Sequence, residues 1–231
     1  MQKKRVLLFG LILGLVLTAA LAWWVAARYV FENEKTVYTV ADFPNAGAVV
    51  TDPNVVQERV ALINQWYAEM QQPEADVAYN YTRIGILKKT LQDYTGAEDA
   101  WLRALALNKS SVNYGNLANL YYLELNEPQK AIDYYERAIT VNPTGQTFYE
   151  DLAGVYRYKL GNDAAAIEAI MLEGAKNNPG FKNNFYLYLV DYYDREGQNL
   201  QKKQSYIDLI MSGNPDDVML EYLRGGGYIS E

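Results

Sequence analysis

The repeating pattern of this chain is clearest at residues 117–143, which read LANLYYLELNEPQKAIDYYERAITVNP. Small, aromatic and leucine positions of this stretch recur every 34 to 37 residues elsewhere in the chain. The recurring groups are Ala97, Trp101 and Ala104 with Ala131, Tyr135 and Ala138; Leu117, Ala118 and Tyr121 with Leu152, Ala153 and Tyr156 and with Leu189, Val190 and Tyr193; and Pro143, Pro179 and Pro215. A nearly fixed interval of this length is typical of stacked structural repeats.

Each interval contains two segments with helical spacing of apolar residues, so we predict pairs of antiparallel helices. Small residues such as Ala97 and Ala104 let the two helices of one pair approach closely. Trp101 and Tyr135 are large enough to fill the space between neighbouring pairs. The predicted helices are residues 53–71, 74–91, 97–107, 111–125, 128–140, 145–160, 163–177, 181–196, 199–212 and 216–224.

This spacing resembles that of the tetratricopeptide repeat family, which has leucine, a small residue and tyrosine on a first helix, small residues and an aromatic on a second, and a closing proline. The likeness extends over four units, about residues 78–215. It implies an all-α fold: a solenoid of helix hairpins, wound as a right-handed superhelix, over residues 53–224. The first and last helices would cap the stack, and residues 225–231 would form a C-terminal tail.

Ahead of the repeats, residues 6–27 form an uncharged apolar stretch that would reach about 33 Å as a helix, enough to cross a bilayer. Basic residues at positions 3–5 precede it, so the positive-inside rule places the N-terminus in the cytoplasm and the repeats outside. We therefore predict a single transmembrane helix, an uncleaved signal anchor within residues 1–30, in the cytoplasmic (plasma or inner) membrane. A cleaved secretory signal is the alternative, because residues 20–22, Ala-Leu-Ala, fit a cleavage site.

A stripe of small residues recurs at every fourth position of this predicted membrane helix. Its members are Gly10, Gly14, Thr18, Ala22 and Ala26. Small side chains let another helix backbone approach closely, so the stripe is a candidate packing surface for a homo- or hetero-oligomer. Chance is the alternative explanation, because small residues are frequent in this segment.

Residues 31–52 separate the two predicted parts. They show no helical period and contain Pro44 and Gly47. We interpret them as a juxtamembrane linker with a short strand at residues 36–40.

The composition excludes several classes of function. The chain has no cysteine and no histidine, which removes disulfides, thiolate and imidazole metal sites, and histidine acid–base catalysis. Its formal net charge of −7 disfavours nucleic acid as a partner, because phosphate contacts require a basic face. We therefore expect no catalytic residue, no metal and no cofactor, and we predict that the chain is not an enzyme.

Family members that bind extended peptides present their first helices to a concave groove, where polar residues hold the ligand backbone. The resemblance implies this role for nine residues here: Arg83, Lys89, Asn116, Asn119, Tyr122, Asp151, Arg157, Asp191 and Asp194. The alternative is that these are ordinary solvated residues of exposed helix faces. Asp191 and Asp194 could share a cation, but two oxygen ligands on one helix make a poor site.

These observations predict a membrane-anchored scaffold outside the cytoplasm that binds protein or peptide partners and assists assembly of an envelope complex. The expectation depends on the resemblance, because a fold alone does not fix a function. The alternative is an accessory subunit of a larger membrane protein complex, held mainly through its transmembrane helix rather than through the groove.

Overall fold

A computed structural model describes residues 35–197 and 199–230 of the chain. Most of these residues are helical and none forms a strand, which confirms the predicted all-α class. No helix within these ranges is long and apolar enough to cross a membrane. The predicted transmembrane helix at residues 6–27 and its stripe of small residues lie outside the described residues.

Ten α-helices follow one another in the described ranges. They are α1 (Pro53–Glu69), α2 (Val77–Thr90), α3 (Tyr94–Leu107), α4 (Ser111–Asn119), α5 (Pro128–Val141), α6 (Gln146–Tyr158), α7 (Ala164–Asn177), α8 (Lys182–Arg195), α9 (Leu200–Ser212) and α10 (Asp217–Gly225). A π-helical turn at Leu120–Glu124 continues α4, and short 3-10 turns cover Val40–Asp42, Ala46–Ala48 and Pro179–Phe181. With the π-turn counted in α4, every helix begins and ends within three residues of its predicted bounds.

Helices α2 to α9 pack as four successive hairpins, and the turns within the first three hairpins repeat one backbone device. Gln92, Asn126 and Asn162 each adopt a positive φ, of 64°, 54° and 61°. This left-handed conformation is rare for side chains other than asparagine and glycine, and it reverses the chain sharply. Asp93 and Asp163 follow two of these turns, and their side chains accept backbone N–H groups in the first turn of the next helix.

Trp101 of α3 joins two hairpins. Within its own hairpin the indole packs against Gly85 of α2, where a Cβ atom would stand only 2.7 Å from Cδ1 of the ring. The indole Nε1 donates a hydrogen bond to the carbonyl oxygen of Thr82 at 3.1 Å. Trp101 also shares a buried cluster with Leu117 and Leu120 of the next hairpin. This confirms the predicted place of Trp101 between neighbouring helix pairs.

Residues 35–50 pack against α1 and α2, ahead of the first hairpin. The side-chain amide of Asn64 accepts from the backbone N–H of Tyr38 at 2.7 Å and donates to its carbonyl oxygen at 2.8 Å. The ring of Tyr38 stacks on that of Tyr67 with centroids 5.6 Å apart, and Phe43 is buried in the same cluster. Much of the predicted linker is therefore part of the folded core.

The strand predicted at residues 36–40 is wrong. The chain is irregular there and enters a 3-10 turn at Val40–Asp42. The carboxylate of Asp42 accepts the backbone N–H of Thr39 at 2.8 Å, and Asn64 occupies the backbone groups of Tyr38. These local and side-chain bonds satisfy polar backbone groups that a strand would pair with a neighbouring strand.

We expect Gly85→Ala to lower the free energy of unfolding by about 1–3 kcal/mol, because a methyl group there overpacks the contact with Trp101. Gly180→Ala is the matched control, since a Cβ atom at Gly180 meets no atom within 4 Å. Urea unfolding of the full chain in a mild detergent, followed by circular dichroism, measures both variants. Equal urea midpoints for the Gly85→Ala and Gly180→Ala variants would contradict the close contact between Gly85 and Trp101.

Candidate functional site

The predicted groove residues lie on the first helix of each hairpin or in the turn that continues it. Ile84, Leu117 and Leu152 are buried at matching positions of α2, α4 and α6. The residue directly before each of them is partly exposed and belongs to the predicted groove: Arg83, Asn116 and Asp151. Because the helices have the same orientation in each hairpin, these side chains share one face of the repeat array.

An open cleft of about 780 Å³ lies on this face, between α2, α4 and the start of α1. Three predicted groove residues line it: Lys89, Asn116 and Asn119. Residues between 49 and 55, together with Arg59, form another part of the lining. Sequence reasoning missed this part because it precedes the repeats and follows no repeat spacing.

The two asparagines of the cleft differ in how their amides are used. The Nδ2 atom of Asn116 is buried and has no hydrogen-bond partner among the described residues. By contrast, Oδ1 of Asn119 accepts the hydroxyl of the buried Tyr135 at 2.9 Å, and its amide also hydrogen-bonds to Asp151. Asn119 therefore supports the packing of α4 against its neighbours, whereas Asn116 retains an unused donor.

The two predicted basic residues of α2 already have contacts within the chain. The guanidinium of Arg83 lies 3.9 Å from the ring centroid of Trp66 and 3.8 Å from Glu69, both on α1. The ammonium of Lys89 is 3.4 Å from the carboxylate of Glu124, which also accepts the hydroxyl of a neighbouring tyrosine. Lys89 is thus placed in the cleft, and Arg83 lies against the capping helix.

Arg157 and Tyr122 connect hairpins across the same face. Nε of Arg157 donates to Oε2 of Glu196 at 2.7 Å, which joins α6 to the end of α8. This contact raises the pKa of Arg157 and lowers that of Glu196, since each charge stabilises the other. The hydroxyl of Tyr122 donates to the carbonyl oxygen of Gly154 at 3.3 Å.

The C-terminal segment engages the predicted acidic residues of α8. Asp191 accepts the hydroxyls of Tyr228 at 2.7 Å and Tyr222 at 3.0 Å, so α10 and the residues after it cover this position. Burial and the hydrogen bond to Asp191 raise the pKa of Tyr228 to about 12. Asp194 pairs with Lys203 of α9 at 2.8 Å. Asp194 therefore helps to hold the last hairpin together, and Asp191 holds α10 and the residues after it against that hairpin.

Exposed apolar side chains accompany the polar ones on this face. On α2 and α4, helical spacing places them three or four residues from predicted groove positions. They are Tyr79, Ile86, Val112 and Leu123, which are 58%, 44%, 54% and 57% exposed. A prediction based on polar residues alone misses these apolar side chains, although the same three- or four-residue helical spacing also identifies them. Together the two kinds of side chain can contact both the backbone and the apolar side chains of a polypeptide.

Comparison with known proteins supports the repeat assignment in the middle of this face. Residues 113–144 match the tetratricopeptide repeat family, which confirms the predicted resemblance for the unit that contains Asn116, Asn119 and Tyr122. The crystal structure of a tetratricopeptide repeat protein from Parabacteroides merdae ATCC 43184 is 15% identical and covers 82% of this chain and 80% of its own, with a TM-score of 0.40. That likeness is too distant to bear on the site. No curated protein matches the chain.

Asp151 is a predicted groove residue whose charge opposes folding. Burial raises the pKa of its carboxyl above the ordinary 3.8, Glu150 adds to the rise, and the hydrogen bond from Asn119 offsets it in part. A raised pKa means that the folded state binds the proton more tightly than the unfolded chain does. The stability linked to this group is complete below the unfolded pKa and is lost as the pH rises through the folded pKa.

We therefore expect Asp151→Asn to raise the melting temperature at pH 7, because the amide keeps the size of the side chain and carries no charge to bury. The gain should disappear at pH 3, where the native carboxyl is protonated. Thermal melts of the full chain at both pH values, read by circular dichroism, test this. Glu58→Gln, on an exposed position of α1 without an ion pair among the described residues, is the control. A lower melting temperature for Asp151→Asn at pH 7 would contradict the expectation.

Proposed function

We propose that this chain is a scaffold that holds a protein or peptide partner along the shared face of α2, α4, α6 and α8. The observation that carries the proposal is the cleft on this face, where the buried amide N–H of Asn116 has no partner among the described residues. A buried donor without an acceptor costs free energy, and a bound polypeptide backbone could remove that cost. Three residues of its lining, Asn116, Asn119 and Glu124, lie within the segment that matches the tetratricopeptide repeat, a repeat that generally mediates contacts between proteins.

The predicted groove residues have different parts in this proposal. Asn116 and Lys89 contact the partner directly in the cleft. Asn119 and Asp151 hold the helices that carry those contacts. Four other residues position the helices at the C-terminal end of the groove through their bonds within the chain: Tyr122, Arg157, Asp191 and Asp194. Arg83 stacks against α1 and positions the helices at the N-terminal end of the groove.

We further propose that residues 6–27 anchor the scaffold in the cytoplasmic (plasma or inner) membrane, with the N-terminus inside and the repeats outside. The apolar length and the basic residues before it support this topology. Only residues 28–34 then separate the anchor from the first described residue, and seven residues span at most about 25 Å. The scaffold would work close to the bilayer, which suits a role in assembling a complex of the cell envelope.

An accessory-subunit function is the second candidate. The stripe that contains Gly10 and Gly14 favours it, because small residues at this spacing pack against other membrane helices. In that case specificity resides in the membrane helix and not in the groove.

Capture of partners distinguishes the two functions. Asn116→Ala should weaken partner capture by about 1–3 kcal/mol, since it removes a hydrogen bond to an ordered backbone. The fold should be unaffected, because the Nδ2 atom makes no bond within the described chain. Partner recovery with the full-length protein in a mild detergent, quantified by mass spectrometry at equal expression, measures the effect.

Two further variants complete this experiment. Asn108→Ala, at the exposed end of α3, is the matched control and should behave as the unmodified chain does. Gly14→Leu blocks close helix approach in the proposed anchor and should leave capture unchanged. Loss of capture with Gly14→Leu alone would reject the scaffold and support the accessory subunit.

The topology predicts that a protease added to intact spheroplasts removes residues 32–231, because the proposed anchor leaves them outside. Immunoblotting against a C-terminal tag follows the cleavage. A cytoplasmic marker protein, which must stay intact, controls for lysis. Protection of the domain until the spheroplasts are lysed would reverse the topology.

A further inference from the structure

The outer side of the array, formed by the second helices of the hairpins, contains a small hollow of its own. It lies between α5 and α7 and has a volume of about 280 Å³. Its floor consists of Tyr149, Leu152 and Tyr156 of α6. Helical spacing places these three residues on one side of α6, away from Asp151 of the predicted groove. The hollow shares no lining residue with the cleft on the groove face and is therefore a separate surface.

The lining of this hollow is mainly apolar and aromatic, and the core holds it in place. Ile139 of α5 and Ile170 of α7 flank the hollow. Both are half-buried and, like Tyr156, pack against two clusters of buried residues. The hydroxyl of Tyr149 donates a hydrogen bond to a backbone carbonyl oxygen at 2.9 Å and accepts one from an asparagine amide at 2.8 Å. The shape of the hollow is therefore set by the fold.

Two glutamates complete the lining, Glu136 on α5 and Glu173 on α7. Both are exposed, and neither carboxylate has a hydrogen-bond or ion-pair partner among the described residues. Arg137, next to Glu136, pairs instead with Asp133 of its own helix at 2.8 Å. Lys176 follows Glu173 by three residues on α7, but no ion pair joins the two in the described part of the chain. Two uncompensated negative charges therefore lie at the rim of an apolar hollow.

This combination selects the kind of group that fits the hollow. A volume of about 280 Å³ is just below the ~300–1,000 Å³ typical of ligand sites, so it suits a single side chain. The apolar lining favours an aliphatic stem, and the carboxylates favour a cationic head. Arginine meets both requirements, because its planar guanidinium stacks on aromatic rings and has donors for carboxylates on two sides. The compact, strongly hydrated ammonium of lysine meets them less well.

We infer that this hollow binds an arginine side chain of a protein partner, with the guanidinium on Glu136 and Glu173 and the stem on Tyr156. Charge complementarity supports such a partner, since the formal net charge of −7 also attracts a basic protein at long range. The inference goes beyond the proposed function, because the hollow lies outside the groove. A scaffold with both sites would hold two partners, or two segments of one partner, on different faces of the array.

The test uses the full chain in a mild non-ionic detergent, with isotope-labelled isoleucine δ1 methyl groups observed by NMR. Ile139 and Ile170 report on the hollow, and Ile86 reports on the cleft of the groove face. The probe is the peptide Gly-Ser-Arg-Ser-Gly, acetylated and amidated at its ends so that no terminal charge contributes. Matched peptides contain lysine, or the neutral isostere citrulline, in place of arginine.

We expect the arginine peptide to shift the Ile139 and Ile170 signals in a saturable way. Its affinity should exceed that of the citrulline peptide by about fivefold or more, because hydrogen bonds between two charged groups are stronger than those of a neutral donor. The lysine peptide should bind with an intermediate affinity. Ile86 should not distinguish arginine from citrulline, because any contact in the cleft would involve the peptide backbone, which the two peptides share.

Two substitutions assign the effect to the hollow. Glu136→Gln and Glu173→Gln keep the size of each side chain and remove its charge, so the double variant should reduce the preference for arginine over citrulline to about twofold or less. Glu221→Gln, at an exposed position of α10, removes the same charge elsewhere and should leave the preference intact. The melting temperatures of all variants should match that of the unmodified chain, since these glutamate side chains make no bond within the described residues.

Equal affinities of the arginine and citrulline peptides at Ile139 and Ile170 would overturn the inference, as would a preference that survives the double variant. A lysine peptide that binds as tightly as the arginine peptide would also overturn it. Hollow signals that shift when the protein alone is diluted would assign the hollow to a second copy of the chain and not to a partner. The proposed groove function is tested separately, because it depends on the effect of Asn116→Ala on partner capture.

Discussion

The packing of Trp101 against Gly85 is the contact on which the candidate site depends. The indole fits only because glycine leaves room on α2, and its far side meets Leu117 and Leu120 of the next hairpin. One ring thus fixes the spacing of two successive units. Because Trp101 also lines the cleft, the same contact sets the distance between the helices that form the site.

The two ends of the array are covered by segments outside the repeats. At the N-terminal end, Tyr38 and Phe43 pack with α1 against the first hairpin. At the C-terminal end, Tyr222 and Tyr228 bind Asp191 and cover α8, the first helix of the last hairpin. A repeat that ends in water would expose its stacking face, so such caps are needed for stability. Here the N-terminal cap also contributes part of the candidate site, through six lining residues between positions 49 and 59.

The polar residues of the groove face divide into those that hold the fold and those that remain free. Asn119, Arg157 and Asp191 have partners on other helices, and removing them would first disturb the packing. Asn116 and Arg59 have donors without matching acceptors in the described chain. An unsatisfied buried donor costs stability, so its persistence in a cleft is a reason to consider a ligand there.

The sequence by itself determined the helices, their pairing and the helices on which the predicted groove residues lie. These depend on local spacing: the helical period and the 34- to 37-residue interval. The predicted membrane helix likewise rests on local composition alone. The strand expected at residues 36–40 failed because the partner of that segment, Asn64, lies more than twenty residues away.

Only the tertiary structure decided which polar groups are free to bind. Asp191 accepts a hydrogen bond from Tyr228, which lies 37 residues later, and is therefore occupied. The side-chain oxygen of Asn119 is likewise occupied by the hydroxyl of Tyr135 on the next helix. Arg59 enters the cleft from a helix that has no place in the repeat pattern. Hydrogen bonds and burial depend on distances in space between residues far apart in the chain. The spacing of residues along one sequence carries no direct record of those distances.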